Sequence, residues 1–282
     1  MSQYTVTVFG ATGKTGRHVA RYAAQRGWRV RAAGRSVPAH GELEPFDWDD
    51  ERTWRTAAEG SDAAYVLIPF NHPGAPENTP ALLRAVAAAG VGRVVLLSSL
   101  DVTEAEPDSP LRQAEDTLFG LPSATASLRP TWFLDNFTLG SFAGMVDSGV
   151  MRLPAGEGRI PFVDARDVAA VGVAAMAADG PTGPLPITGP ASLTHHEVAA
   201  ALTEGLGRPV TYTPVPAEEF VELMVARGFT ADYGTFLAEA LARVATGELV
   251  IPVHDTVSRL AGRPAHSAVD FAVRAVSGGS RR

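Results

Sequence analysis

A strand-like run that ends in a glycine-rich turn and continues into a helix-like run constrains this chain more than any other feature. Residues 4–9 are rich in β-branched side chains and stop at Gly10. Gly10-Ala11-Thr12-Gly13-Lys14-Thr15-Gly16 follows, and over residues 15–26 the positions Val19, Ala20, Ala23 and Ala24 share one helical face before Gly27. In such a turn the first glycine permits the sharp reversal and the second lets a pyrophosphate approach the backbone. The third lets helix and strand pack closely, so that the helix N-terminus faces the anion. A glycine-rich match alone also describes an ordinary strand–helix turn; the strand before it and the helix after it point here to dinucleotide binding. Gly13-Lys14-Thr15 mimics the end of an ATP-binding phosphate loop, but that loop needs a glycine where this chain has Val8, inside the strand.

The same alternation continues downstream. Strands are expected at 28–33, 46–48, 63–68, 93–97 and 124–128, with helices at 51–59, 81–89 and 111–119 and a proline-punctuated loop at 69–80. Residues 63–68 are almost continuously apolar, as strands covered on both faces are. This predicts an α/β fold, a doubly wound parallel sheet of the Rossmann type over residues 1–130. Beyond it, helices are expected at 166–178, 194–205, 216–227 and 233–246 and strand-like pieces at 160–163, 185–188 and 210–213. These read as a small, mostly helical substrate lobe over 131–276, interleaved with the sheet, and 277–282 reads as a loose tail.

Composition narrows the chemistry. The 282 residues are 45% hydrophobic and 20% charged, an ordinary globular balance. There is no cysteine, which removes disulfides, thiolate metal sites and cysteine nucleophiles. The net charge of −7 and the lack of a basic block argue against nucleic acid or an anionic membrane as partner. No apolar run approaches the roughly 20 residues of a membrane span, and residues 1–4 lack the basic region and apolar core of a signal segment. A cytoplasmic monomer or homodimer is the expectation. Of the 24 basic residues Lys14 is the only lysine, so any lysine-dependent step must use it or another subunit.

The stretch after the second strand, Val30-Arg31-Ala32-Ala33-Gly34-Arg35-Ser36, holds two arginines and no acid. An acid there would bind the ribose 2′-hydroxyl of NAD; Arg35, just past the strand end, instead suits the 2′-phosphate of NADP.

With these residues in view, the chain resembles a known family. The Gly10–Gly16 loop, Phe46-Asp47-Trp48-Asp49-Asp50 and Ser98-Ser99 carry the resemblance, with Leu128-Arg129-Pro130 and Trp132-Phe133-Leu134-Asp135-Asn136-Phe137. So do Pro161-Phe162-Val163-Asp164-Ala165-Arg166-Asp167-Val168-Ala169 and, near the end, Gly262-Arg263-Pro264-Ala265 with Phe271. Together they resemble the NmrA-like branch of atypical short-chain dehydrogenase/reductases over nearly the whole chain. The resemblance implies NADP in an extended groove, held by Gly10, Thr12, Gly13, Lys14, Thr15, Gly16 and Arg35. It implies Asp47 and Trp48 at the adenine, Ile68, Pro69 and Phe70 along the adenosine and ribose, and Ser98 and Ser99 near the nicotinamide. Pro130 to Phe133, with Pro130 and Phe133 as the contacts, would lie at the nicotinamide's other end. Trp48 and Phe70 read equally well as core.

The departures are informative. Orthodox members carry Tyr-x-x-x-Lys after the Ser-Ser strand, often with a glutamate four residues later. Registering on Glu115 puts Leu111 and Pro107 at the lysine and tyrosine positions, and no tyrosine occurs between Tyr65 and Tyr212. The standard acid is missing, Leu100 stands where a catalytic hydroxyl usually follows, and Ser98 and Ser99 are the only catalytic candidates. No Gly-x-Ser-x-Gly elbow occurs. His195-His196 suits a helix start better than a metal, and no metal site is expected. His72 stands as a substrate candidate near the nicotinamide or as a solvated loop residue.

Two function classes follow. One is an NADPH-dependent reductase of a hydrophobic, polycyclic aromatic ketone or quinone, as in aromatic polyketide tailoring. Such a substrate stabilises its own oxyanion, so hydride transfer could proceed by positioning. The other is a non-catalytic NADP sensor that binds a protein partner. Trp132, Asn136, Phe137, Phe229 and Tyr233 are the expected substrate contacts beside His72, with Asn136 orienting a ligand oxygen. Residues 218–237 read as two helices hinged at Gly228-Phe229-Thr230, either a closing flap or a fixed hairpin.

Overall fold

The computed structural model describes residues 3–69, 72 and 74–277. Phe70 and most of the expected tail, 278–282, lie outside the described residues. In chain order the first elements are β1 (Thr5–Phe9), α1 (Gly16–Gln25), β2 (Arg29–Gly34), β3 (Glu42–Pro45), α2 (Arg52–Ala58), β4 (Ala63–Leu67) and α3 (Ala75–Ala88). Next come β5 (Arg93–Leu97), α4 (Pro110–Phe119), β6 (Ala124–Pro130), α5 (Ala143–Asp147), β7 (Val150–Leu153), β8 (Arg159–Ile160) and α6 (Ala165–Met176). The chain continues through β9 (Gly183–Ile187), β10 (Leu193–Thr194), α7 (His195–Leu206) and β11 (Thr211–Pro214). It ends with α8 (Ala217–Ala226), α9 (Ala231–Ala245), α10 (Thr256–Ala261) and α11 (Ala268–Ser277).

These elements form two units. The first contains Met1–Thr131, Ala165–Ile187 and Asp255–Pro264; the second contains Trp132–Asp164, Thr188–His254 and Ala265–Arg282. The first unit is built on a seven-stranded, wholly parallel sheet of order β3-β2-β1-β4-β5-β6-β9. Every residue of β1 is buried, as the apolar reading of a strand covered on both sides requires. One face packs α1 and α6. The other buries Phe9, Trp54, Leu82, Leu83, Leu96 and Leu118 beneath α2, α3 and α4.

The helix expected at 166–178 in the C-terminal lobe is α6, which packs on the sheet of the first unit; three further departures each have a local reason. The third strand is Glu42–Pro45, not 46–48, because the backbone of Asp47 is taken up by α2. Asp47 N–H donates to Thr53 Oγ1 at 3.0 Å and its carbonyl accepts from Trp54 Nε1 at 2.8 Å. Helix α3 begins six residues early, at Ala75. Pro76 sits in its first turn, where a missing N–H costs nothing, and Thr79 Oγ1 donates back to the Ala75 carbonyl at 2.8 Å ahead of Pro80. The piece expected at 185–188 in the C-terminal lobe is β9, which closes the sheet beside β6. Pro184 and Pro186 sit in this edge strand, the one place in a sheet that tolerates them, and blunt it against further pairing.

The second unit has two small two-stranded sheets, β10 with β8 antiparallel and β11 with β7 parallel. Its core contains Phe137, Phe142, Phe162, Phe220, Met224 and Leu241. Helix α7 begins with a capping box in which Thr194 Oγ1 accepts from Glu197 N–H and the Glu197 carboxylate accepts from Thr194 N–H. Among the described residues no helix is long and apolar enough to cross a membrane.

Candidate active site

The glycine turn is held by its own backbone. Gly10 has φ +71°, a conformation that side chains resist, and its carbonyl accepts from Gly13 N–H at 2.9 Å. A Cβ at Gly16 would collide with the Gly10 carbonyl, so α1 can start hard against the end of β1 only with glycine there. Thr15 precedes α1 without capping it, because its hydroxyl is engaged elsewhere, accepting from the buried Tyr65 phenol at 2.9 Å. Burial pushes the Tyr65 pKa up, which keeps it a donor. The first turn of α1 holds no acid. The result is a helix N-terminus with its amide groups and dipole free of side-chain caps, fitted to an anionic phosphate.

The two arginines after β1 divide their work. Arg31 is consumed internally, paired with Glu44 at 3.0 Å and bonded to the carbonyls of Glu59 and Thr56. Arg35 is exposed past the end of β2 and pairs with no described residue. Trp48 packs edge-on against Phe46, with ring centroids 5.2 Å apart, and remains partly exposed beside Asp47. Ile68 is buried in the core and Pro69 is half-buried. His72, read from the sequence as a substrate candidate or as a solvated loop residue, lies beside Asp49. Its Nε2 lies 3.3 Å from Asp49 Oδ1, which ties it to the Asp47–Asp50 loop, the end assigned to adenine.

At the carboxyl end of β5 and β6 the sheet is unusually polar. Glu115, on α4, is 2% exposed. Its carboxylate accepts from Ser127 Oγ and from Arg129, whose Nε lies at 3.0 Å and whose Nη2 also donates. Burial alone would raise this carboxyl's pKa, but the hydrogen bonds of Arg129 and Ser127, with a contribution from Ser98, hold it below the usual carboxylate range. Ser98 is buried, and its hydroxyl faces Glu115 without reaching a full hydrogen bond to any described residue. Ser99 is occupied: it caps the 3₁₀ turn at Leu100–Thr103 and donates to Asp101 Oδ2 at 3.0 Å. Pro130 ends β6, and the buried Thr131 after it also has an unpartnered hydroxyl among the described residues. The Glu115–Arg129 pair is not among the residues that the sequence assigns to the site; only the conjunction of a buried acid with a strand arginine marks it.

In the second unit, Trp132 stacks in parallel over Phe142, 6.4 Å between centroids, and is partly exposed. Phe133 bridges to Val163, and Asn136 is half-buried with its N–H on the Phe133 carbonyl. Phe137, an expected substrate contact, is instead packed in the core among Phe142, Phe162 and His195. The hairpin is formed by α8 and α9, with Gly228 at φ +89° between them. Phe220 and Met224 anchor it to the core, while Tyr233 and Phe236 remain exposed. Tyr233 stacks at a tilt on Phe229, and its hydroxyl lies 2.8 Å from Ser141 Oγ. His195 opens α7 fully buried between Phe162 and Tyr212, and burial lowers its pKa to about 4. Asp164 and Asp167 of the 161–169 motif are buried acids paired with Arg274 and Arg263. They brace the chain's last segments.

The NmrA-like family model matches residues 2–249. The NAD(P)H azoreductase of Xenophilus azovorans is 30% identical over 281 residues, covering 95% of this chain and 96% of that protein. A (4-alkanoyl-5-oxo-2,5-dihydrofuran-3-yl)methyl phosphate reductase from Streptomyces griseus is 31% identical over 281 residues, covering 94% and 96%. Among solved structures, the NADPH complex of the Escherichia coli quinone oxidoreductase QOR2 superposes with a TM-score of 0.81 at 20% identity, covering 95% of this chain and 99% of that one. That likeness shows the shared fold. The extent of these matches settles descent: the chain belongs to the NmrA-like family.

Proposed function

We propose that this protein is an NADPH-dependent oxidoreductase acting on a flat, hydrophobic aromatic quinone or ketone. The observation that carries the cofactor reading is the Gly10–Gly16 turn, whose third glycine brings an uncapped helix N-terminus against the strand end. Arg35, exposed and paired with no described residue where an NAD site would place an acid, adds the preference for a 2′-phosphate. Bound there, the cofactor supplies a hydride. The chain's residues then hold the nicotinamide end, exclude water and orient the acceptor, with Asn136 proposed to address a ligand oxygen.

Aromatic substrates fit three features. Relatives and structural neighbours are named for azo compounds, quinones and triphenylmethane dyes. The second unit offers Trp132, Phe229 and Tyr233 as partly exposed aromatic surface, with polar tips on Trp132 and Tyr233. The Tyr-x-x-x-Lys acid is missing, which favours an acceptor whose reduced anion is delocalised.

The test is turnover and binding together. Purified protein should oxidise NADPH in the presence of menadione, and NADH less well. Arg35→Ala should weaken NADPH binding by about 1.5–3 kcal/mol, roughly ten- to a hundredfold, with NADH little changed. Tight NADP binding with no oxidation across quinones, aryl ketones and azo dyes would leave the regulatory reading in place.

A further inference from the structure

Arg227 closes α8 in the second unit and forms no ion pair with a described carboxylate, in a chain whose 31 acidic residues outnumber its 24 basic ones. Its Nη1 donates to the Leu223 carbonyl at 3.1 Å, which holds the side chain against the end of its own helix. Its Nε lies 3.8 Å from the position that a Cβ on Gly144 would take, so the guanidinium rests on α5. Tying down the helix end uses one of five N–H donors, and the planar fork is left exposed and oriented. Asp232, the acid nearest in sequence, sits in the first turn of α9, where the helix amides attract it.

One turn before Gly144, roughly 5 Å along the chain, Ser141 Oγ lies 2.8 Å from the hydroxyl of Tyr233. Whichever hydroxyl donates in that pair, the other keeps its own hydrogen for a third partner. Segment 141–144 therefore gathers a guanidinium and a spare hydroxyl donor beside the rings of Phe229 and Tyr233, whose centroids are 5.7 Å apart. The same segment is tied to residues proposed above to meet the substrate. Phe142 donates its N–H to the Asn136 carbonyl at 3.0 Å, and its ring stacks with Trp132.

Donors beside aromatic faces suit a negative charge carried on an aromatic ring. We propose that Arg227, with the Ser141–Tyr233 pair, is a subsite for an anionic substituent, a carboxylate or sulfonate, on the aromatic acceptor. The guanidinium fork matches two oxygens of either group, and the hydroxyl reaches one more lone pair. This rests on the reductase reading above and narrows its substrates to negatively charged aromatics.

The test compares 1,4-naphthoquinone-2-sulfonate with 1,4-naphthoquinone as acceptors for NADPH on the intact protein. Arg227→Gln should lower the ratio of kcat/KM for the sulfonate to that for the neutral quinone by about five- to tenfold, mainly through KM, and Arg227→Lys should restore part of it. Tyr233→Phe should lower the same ratio about threefold. Independently of turnover, calorimetry should show wild-type protein binding 2-naphthalenesulfonate at least about fivefold more weakly at high salt than at low salt, with 2-naphthol unaffected. If Arg227→Gln loses its fold with its bond to Leu223, this salt comparison decides. An unchanged ratio in folded Arg227→Gln, or sulfonate binding that is absent or insensitive to salt, would overturn the subsite. Failure of the wild type to reduce either quinone would defeat the reductase reading, and the calorimetry would still decide the subsite by itself.

Discussion

The two ends of the sheet's carboxyl edge are built on opposite principles. At β1 the edge is made of backbone: three glycines, a helix start without a side-chain cap, and one buried phenol that occupies Thr15 from behind. At β5 and β6 it is made of side chains, with a buried carboxylate, an arginine, and hydroxyls in graded states of satisfaction. On the proposed reading, the first arrangement places a phosphate, whose charge is the same in every nicotinamide dinucleotide. The second contains an ion pair and two hydroxyls that an apolar core would not keep.

The sharpest way to break the backbone end is Gly16→Ala. The new methyl would meet the Gly10 carbonyl, and either α1 or the turn must move. NADPH binding should fall by at least about a hundredfold by titration, since several amide contacts to one pyrophosphate are lost together. A variant binding within about threefold of wild type would mean that the turn is not the phosphate site.

At the side-chain end, Glu115→Gln removes the charge that balances Arg129. It should lower stability by about 2–4 kcal/mol in denaturant melts at neutral pH. The pH dependence has a definite sign. The Glu115 pKa is depressed in the fold, so its contribution is fully present above the unfolded value, about 4.3. It is lost as pH falls through the lower folded value. The gap between wild type and Glu115→Gln should therefore narrow below about pH 4.3, and a constant gap down to pH 3 would show that the ion pair is not its origin.

How legible these ends were in the sequence follows from the same contrast. The glycine turn announces itself because backbone needs dictate residue type at fixed spacing. The two-sided burial of the central strands is likewise carried by apolar runs such as Val94-Val95-Leu96. What escaped depended on partners distant in the chain. Residues 46–48 looked like a strand until Thr53 and Trp54 claimed the Asp47 backbone. Phe137 looked like a ligand wall because aromatic residues serve core and pocket alike. His72 was drawn away by Asp49, and Thr131 is an ordinary threonine until its hydroxyl is found buried and unpaired.

In the proposed reaction, reduction proceeds with no titrating side chain as proton donor. It is tested most directly by the single-turnover rate at which protein saturated with NADPH reduces menadione across about pH 6 to 9. A rate set by positioning and by a delocalised quinone anion should be flat, within about threefold. A rate that falls tenfold per pH unit above a break in that range would reveal a protein acid and contradict the claim.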